Sequence, residues 1–173
     1  MEKQSEIIID FITGKKVPDI GSEANRQAVE RLLAEEKGFA SEAIEVDVPI
    51  TLTVAGEPYH SKIDLAVRAD GKRFMLIKCA AGSLGSRERE ILAAARILDT
   101  FQIPFCAVSD GKTAILLDTV SGKRIGEGID LIPSKNEAEE KSNLLKSMPF
   151  PKERLEREKL IFRTYNSMDV NRT

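Results

Sequence analysis

The stretch Arg73-Phe74-Met75-Leu76-Ile77-Lys78-Cys79-Ala80-Ala81 is apolar at almost every position and constrains the fold of this chain more than any other feature. A run of that length and composition reads as a strand covered on both faces, and so as a central strand of a sheet. Residues 84–101 follow, with Leu84, Ile91, Leu92, Ala95 and Leu98 at helical spacing, and residues 104–108 form a second apolar run. Strand, helix, strand requires a crossover that lays the two strands parallel. The expected class is therefore α/β: a mixed sheet of about four to six strands flanked by helices.

The preceding segment changes its period from helical to two. Residues 23–37 carry Ala28, Val29, Leu32 and Leu33 as an apolar stripe, with Ser22 as a candidate N-cap and Gly38 as a stop. Glu23, Gln27 and Glu30 share a polar face of that helix. From Ile44 to Val54 apolar residues alternate with polar ones, the pattern of a half-buried strand; Pro49 inside it points to an edge or a bulge. A second strand is expected over 59–68, with Ile63, Leu65 and Val67 on one face and Lys62, Asp64, Ala66 and Arg68 on the other. Asp70-Gly71 then marks a hairpin turn that needs positive φ. Turns at Ser109-Asp110-Gly111 and Ser121-Gly122 predict further strands over 113–120 and 123–125. The apolar residues 5–13, closed by Gly14, read as a short helix on the body. Beyond Pro133 the composition becomes charged and polar. Residues 134–173 therefore read as a helical C-terminal appendage to a domain spanning 1–133. Within it, 153–168 is a charge-laced helix with Leu155, Phe162 and Tyr165 on one side, either solvated or docked on the body or on a second copy. The chain shows no internal repeat.

Composition excludes several classes. No apolar run approaches the roughly 20 residues that span a bilayer. The polar start, Met1-Glu2-Lys3-Gln4-Ser5-Glu6, is unlike a signal peptide, so a cytoplasmic chain is expected. Cys79 and Cys106 both sit in apolar strands, as buried reduced thiols do. One histidine, His60, and no Cys-x-x-Cys spacing give little basis for a zinc site or a histidine triad. A formal net charge of -2 and the absence of Trp leave no overall basic footprint or stacking platform for nucleic acid, so any such surface would be local.

One pair of residues stands out. Asp64 lies in the second strand of the meander, and fourteen residues later Lys78 interrupts the apolar central strand. A charge there is costly to desolvate unless it is paired. By period two, Phe74, Leu76, Lys78 and Ala80 share a face. If neighbouring strands put Asp64 on that face, the two groups meet. Taken alone, the pair reads first as a structural ion pair, or as a lysine snorkelling from a strand end.

Residues 21–133 resemble the N-terminal domain of type I restriction enzyme R subunits, within the PD-(D/E)XK or restriction-endonuclease-like superfamily. The resemblance is carried by residues 26–39, Glu45-Val46-Asp47-Val48-Pro49-Ile50, Lys62-Ile63-Asp64-Leu65-Ala66-Val67, residues 74–82, and Ser109-Asp110-Gly111. It implies an αβββαβ core. It also implies a site in which an Asp and a Glu hold a divalent cation while a Lys steadies developing charge on phosphate. Asp64 matches the Asp. Lys78 falls at the Glu position and Ala80 at the Lys position, so the Glu-x-Lys motif reads Lys78-Cys79-Ala80. Relatives often carry a Gln and, four residues on, a Tyr in the crossover helix; here those positions hold Glu90 and Ala94.

Three functional readings follow. The first is a nuclease-like domain with a degenerate catalytic motif, associated with DNA or RNA in a restriction or repair context, needing no cofactor. The second is an active Mg²⁺-dependent nuclease whose site has migrated to Asp64, Glu90 and Lys78, with Asp64, Glu90 and Glu30 as metal ligands, or Glu23 in place of Glu30. The third is a protein-interaction or dimerisation module, working as a homodimer or beside restriction-complex subunits. For the nucleic-acid readings, Lys62, Arg68, Lys72, Arg73, Arg87 and Arg89 form a candidate basic rim, although scattered solubilising charge is the commoner origin of such residues.

Overall fold

The computed structural model describes residues 5–168. Its centre is a six-stranded mixed sheet in sequential order, built from β3 (Ile44–Val54), β4 (Glu57–Ala69), β5 (Lys72–Cys79), β6 (Phe105–Ser109), β7 (Ala114–Asp118) and β8 (Arg124–Glu127). Only β5 and β6 pair in parallel, joined through α2 (Glu88–Ile97); the other neighbours are antiparallel. The expected α/β architecture and the order helix, three-stranded meander, crossover helix, strand are both present. β5 is central and nearly all buried, and β3, with Pro49, is one of the two edge strands.

Each face of the sheet carries its own apolar cluster. One gathers Leu76, Ala80, Ile91 and Leu92 under α2, together with Phe162 of α4 (Lys152–Ser167). The other gathers Met75, Ile77 and Cys79 under Val29 of α1 (Glu23–Arg31), Leu33, and Ala138 of α3 (Lys135–Leu144). α3 begins at a capping box: Ser134 Oγ accepts from Glu137 N, and Glu137 reaches back to Ser134 N. Gly111, with φ of 86, stands so close to α1 that an added Cβ would lie 2.6 Å from that of Ala28. Asp70 and Gly71, with φ of 52 and 73, make the predicted hairpin turn.

The simple period-two assignment fails along the β3–β4 ribbon. Asp47 has φ of 55 within its strand, and the register passes from the pair Val46 and Leu65 to Val48 and Ile63. Ile44 and Val46 pack on the α1 side, whereas Val48, Ile50, Leu52 and Val54 pack on the α2 side. The opposite strand does the same: Leu65 and Val67 face α1, and Ile63 faces α2. The ribbon therefore turns over at Asp47 and Asp64, which strict alternation does not foresee. Phe74 also changes sides. A register shift at Val67 and Arg68 leaves it as the extra residue of a bulge, so it joins the α1 cluster instead of sharing a face with Leu76.

Other expectations are corrected. Residues 5–13 do not form a helix; β1 (Ile7–Ile9) and β2 (Lys16–Pro18) make a two-stranded hairpin. Three consecutive isoleucines favour extended backbone, and Asp10 Oδ1 accepts from the backbone N–H groups of Ile12 and Thr13, closing a turn instead of a helical one. Ser22 makes no side-chain cap, Ala28 is exposed, and α1 passes into a π-helical turn at Leu32–Glu36 before Gly38. Of the two readings of the last helix, α4 takes the docked one: Glu158, Phe162 and Asn166 are its buried face, and Tyr165 points outward. Among the described residues, no helix is long and apolar enough to cross a membrane.

Candidate functional site

The ladder between β4 and β5 ends at the pair Leu65 and Ile77, while β5 continues alongside β6 through Cys79 and Ser109. The two strands splay there because the ribbon has turned over. The Asp64 side chain fills the opening: its Oδ2 accepts the Cys79 backbone N–H at 2.9 Å, in place of a strand carbonyl. Lys78, 4% exposed, points into the same opening toward α2. Its Nζ lies 3.9 Å from Asp64 Oδ2 and 3.4 Å from Glu90 Oε2. The second contact is an ion pair without hydrogen-bond alignment, since Glu90 Oε2 has no hydrogen-bond partner. Asp64, Lys78 and Glu90 thus converge, with the ammonium between the two carboxylates.

Two residues that the sequence reading missed extend the network. Asn166 Nδ2 donates to Glu90 Oε1 at 2.7 Å, and Tyr59 Oη donates to Asn166 Oδ1 at 2.6 Å. Tyr59 also stands edge-on to Phe162, with ring centroids 6.3 Å apart. One turn further back, Glu158 takes a two-pronged pair from Arg89 at 2.6 and 3.0 Å and a third bond from Arg96. Burial alone would raise the Glu158 pKa; the Arg89 bonds, with Arg96, hold it below the usual carboxylate range. The available signal was the spacing of Glu158, Phe162 and Asn166, four residues apart each time. The apolar stripe that was read instead included Tyr165 and passed over the two polar members.

Glu30 belongs to a different cluster. It is fully buried on the α1 side, and neither carboxyl oxygen accepts a hydrogen bond. Burial and the charge of Asp10 raise its pKa to about 8, against the pull of Arg26. At neutral pH it holds its proton. Asp10, buried but bonded by Thr13 and Gln27, is lowered instead. Arg26 ties this pair to Glu23 and to Asp47, the residue at which β3 turns over. Glu23 and Gln27 therefore face this network, not open solvent.

The basic residues divide between places. Arg68, Lys72 and Arg73 lie together at the start of β5, the end remote from Lys78. Arg68 and Arg73 are paired with Glu45, and Arg73 also with Asp99. Lys62 pairs with Asp47 and Arg89 with Glu158. Arg87 is half-buried in the turn before α2.

The residues present do not suit a divalent ion. The space between Asp64 and Glu90 holds an ammonium group, which would repel one. Ala80 and Ala94 are closed into the α2 cluster. Among the described residues, no group of three or more His, Cys, Asp or Glu is placed to hold a metal. As built, the site is a carboxylate–ammonium–carboxylate clasp joining β4, β5, α2 and α4.

No curated protein and no solved structure matches the chain. A family model described as Type I restriction enzyme R protein N terminus (HSDR_N) matches residues 21–133, which run from the approach to α1 through the whole six-stranded sheet. The chain therefore belongs to the type I restriction enzyme R protein N-terminus family.

Proposed function

We propose that this protein is a PD-(D/E)XK nuclease-like domain with a degenerate site, which engages nucleic acid in a restriction or repair complex without cutting it. The observation that carries this reading is the Lys78 ammonium seated between Asp64 and Glu90. Removing one positive side chain would leave two carboxylates facing each other, as a cation site needs; with Lys78 in place, the charge they require is supplied from within. In this reading residues 1–133 are the working domain and 134–173 an appendage whose helix α4 lies over the site. The protein acts in the cytoplasm beside other subunits of a restriction complex.

Incubating the full chain with single- and double-stranded DNA and RNA, with Mg²⁺ or Mn²⁺, tests it. Salt-sensitive binding without cleavage is the expected result. Metal-dependent cleavage that disappears in Asp64→Ala would replace this reading with the second one, an active nuclease using Asp64, Glu90 and Lys78. The convergence of those three side chains is what favours that alternative. Absence of any nucleic-acid binding would leave the third, a protein-interaction or dimerisation module, favoured by the pairing of Arg68, Arg73 and Arg89 with acids.

A further inference from the structure

We propose that the cavity at the far end of the sheet binds a nucleotide unit, with its phosphate on Lys72 and Lys146 and its base against Phe101 and Gln102. This takes its ligand class from the nucleic-acid reading above, but it rests on none of Asp64, Lys78 and Glu90. The cavity, about 550 Å³, lies between the β4–β5 turn, the segment after α2 and the link from α3 to α4. That volume is in the range that encloses a small ligand. Arg73 and Lys78 mark opposite ends of β5, roughly 16 Å apart along a strand.

Three features of the lining point to one chemistry. Lys72 and Lys146 are exposed at its mouth, and neither makes a side-chain hydrogen bond or ion pair among the described residues. The two arginines beside them are held in place by Glu45 and Asp99, so the lysines are the cations left to meet an anion. Phe101 is 49% exposed in the same wall. Gln102, also in the lining, is only 9% exposed. Its backbone N–H donates to Met148 O and its Nε2 to Pro149 O, so the side chain is fixed, while its Oε1 has no donor. Gln102 thus forms a fixed wall beside Phe101 against which a flat base can lie. Phosphate alone would leave Phe101 unused, and a plain hydrocarbon would leave the lysines unused. A nucleotide satisfies all of them, whether free or at the end of a single strand.

Calorimetric titration of the full chain with AMP, with a 5′-phosphorylated single-stranded tetranucleotide and with inorganic phosphate tests the site. Phe101→Ala and the double variant Lys72→Ala/Lys146→Ala change exposed side chains, and circular dichroism confirms that both fold. Binding of AMP or the tetranucleotide is expected to weaken about tenfold or more in each variant. Equal binding of the two probes identifies a free nucleotide, and binding of the tetranucleotide alone identifies a strand end. The proposal is overturned if neither binds, if inorganic phosphate binds as tightly as both, or if the variants leave affinity unchanged. Longer nucleic acid that still binds these variants at full strength would remove this cavity from the account while leaving the function proposed above standing.

Discussion

Asn166, near the end of α4, donates to Glu90 Oε1 at 2.7 Å while Glu90 Oε2 faces the ammonium of Lys78. The last helix thereby holds the acid that completes the clasp. Asn166→Ala would strand one buried carboxylate oxygen and take one partner from the Tyr59 hydroxyl, and is expected to cost about 1–3 kcal/mol. Urea denaturation measures this. A cost near zero would mean that α4 rests on the site without holding it.

Lys78→Met should be more damaging. Removing the cation leaves Asp64 and Glu90 buried toward each other, at a cost of roughly 3–5 kcal/mol. Adding Glu90→Gln should recover part of the loss. Lys78→Ala, which also opens space, is expected to gain affinity for Mn²⁺ that the parent lacks, readable by paramagnetic broadening. A parent and variant with equal Mn²⁺ affinity would refute the view that Lys78 takes a cation's place.

The Asp10–Glu30 pair predicts how stability varies with pH. Glu30 is raised from an ordinary 4.5 to about 8 in the fold. Between those values the folded chain binds more protons than the unfolded one, so this group's contribution is full below about 4.5 and is lost as pH rises through 8. Glu30→Gln should flatten that decline, which amounts to on the order of a few kcal/mol. Urea midpoints at pH 5 and pH 8 for the parent and the variant provide the comparison; parallel declines would remove Glu30 as the cause.

Glu158 predicts the opposite sign. Its folded pKa is lowered, so its contribution is present above the ordinary value of 4.5 and is lost as pH falls through the folded one. Glu158→Gln should loosen α4 at neutral pH, because Arg89 and Arg96 lose their shared partner. Amide exchange across α4 is expected to quicken about tenfold or more relative to β5. Unchanged exchange in α4 would show that Phe162 and Asn166 secure the helix without Glu158.

Much of this protein was open to reading from the residues, wherever one periodicity governed one element. The apolar run at 73–81, the crossover helix and the parallel strand after it lie as expected, because a strand covered on both faces leaves the chain few alternatives. Local chemistry likewise settled the Asp70-Gly71 turn. The N-terminal hairpin escaped because a short apolar run suits either a helix or a strand, and Asp10 decided the matter by bonding its own backbone. The pairing of Asp64 with Lys78 could be anticipated only as a conditional, since it depended on which face each strand presents.

The sequence by itself determined the class of fold, the centre of the sheet and the family, because burial and turn preferences act over a few neighbouring residues. Tertiary structure alone decided that the β3–β4 ribbon turns over at Asp47 and Asp64, that α4 docks through Glu158, Phe162 and Asn166, and that Glu30 lies with Asp10 and not with Glu90. Those outcomes depend on side chains far apart in the chain. Asn166 and Glu90 are separated by 76 residues, and a buried polar group finds its partner only once packing has excluded water from both.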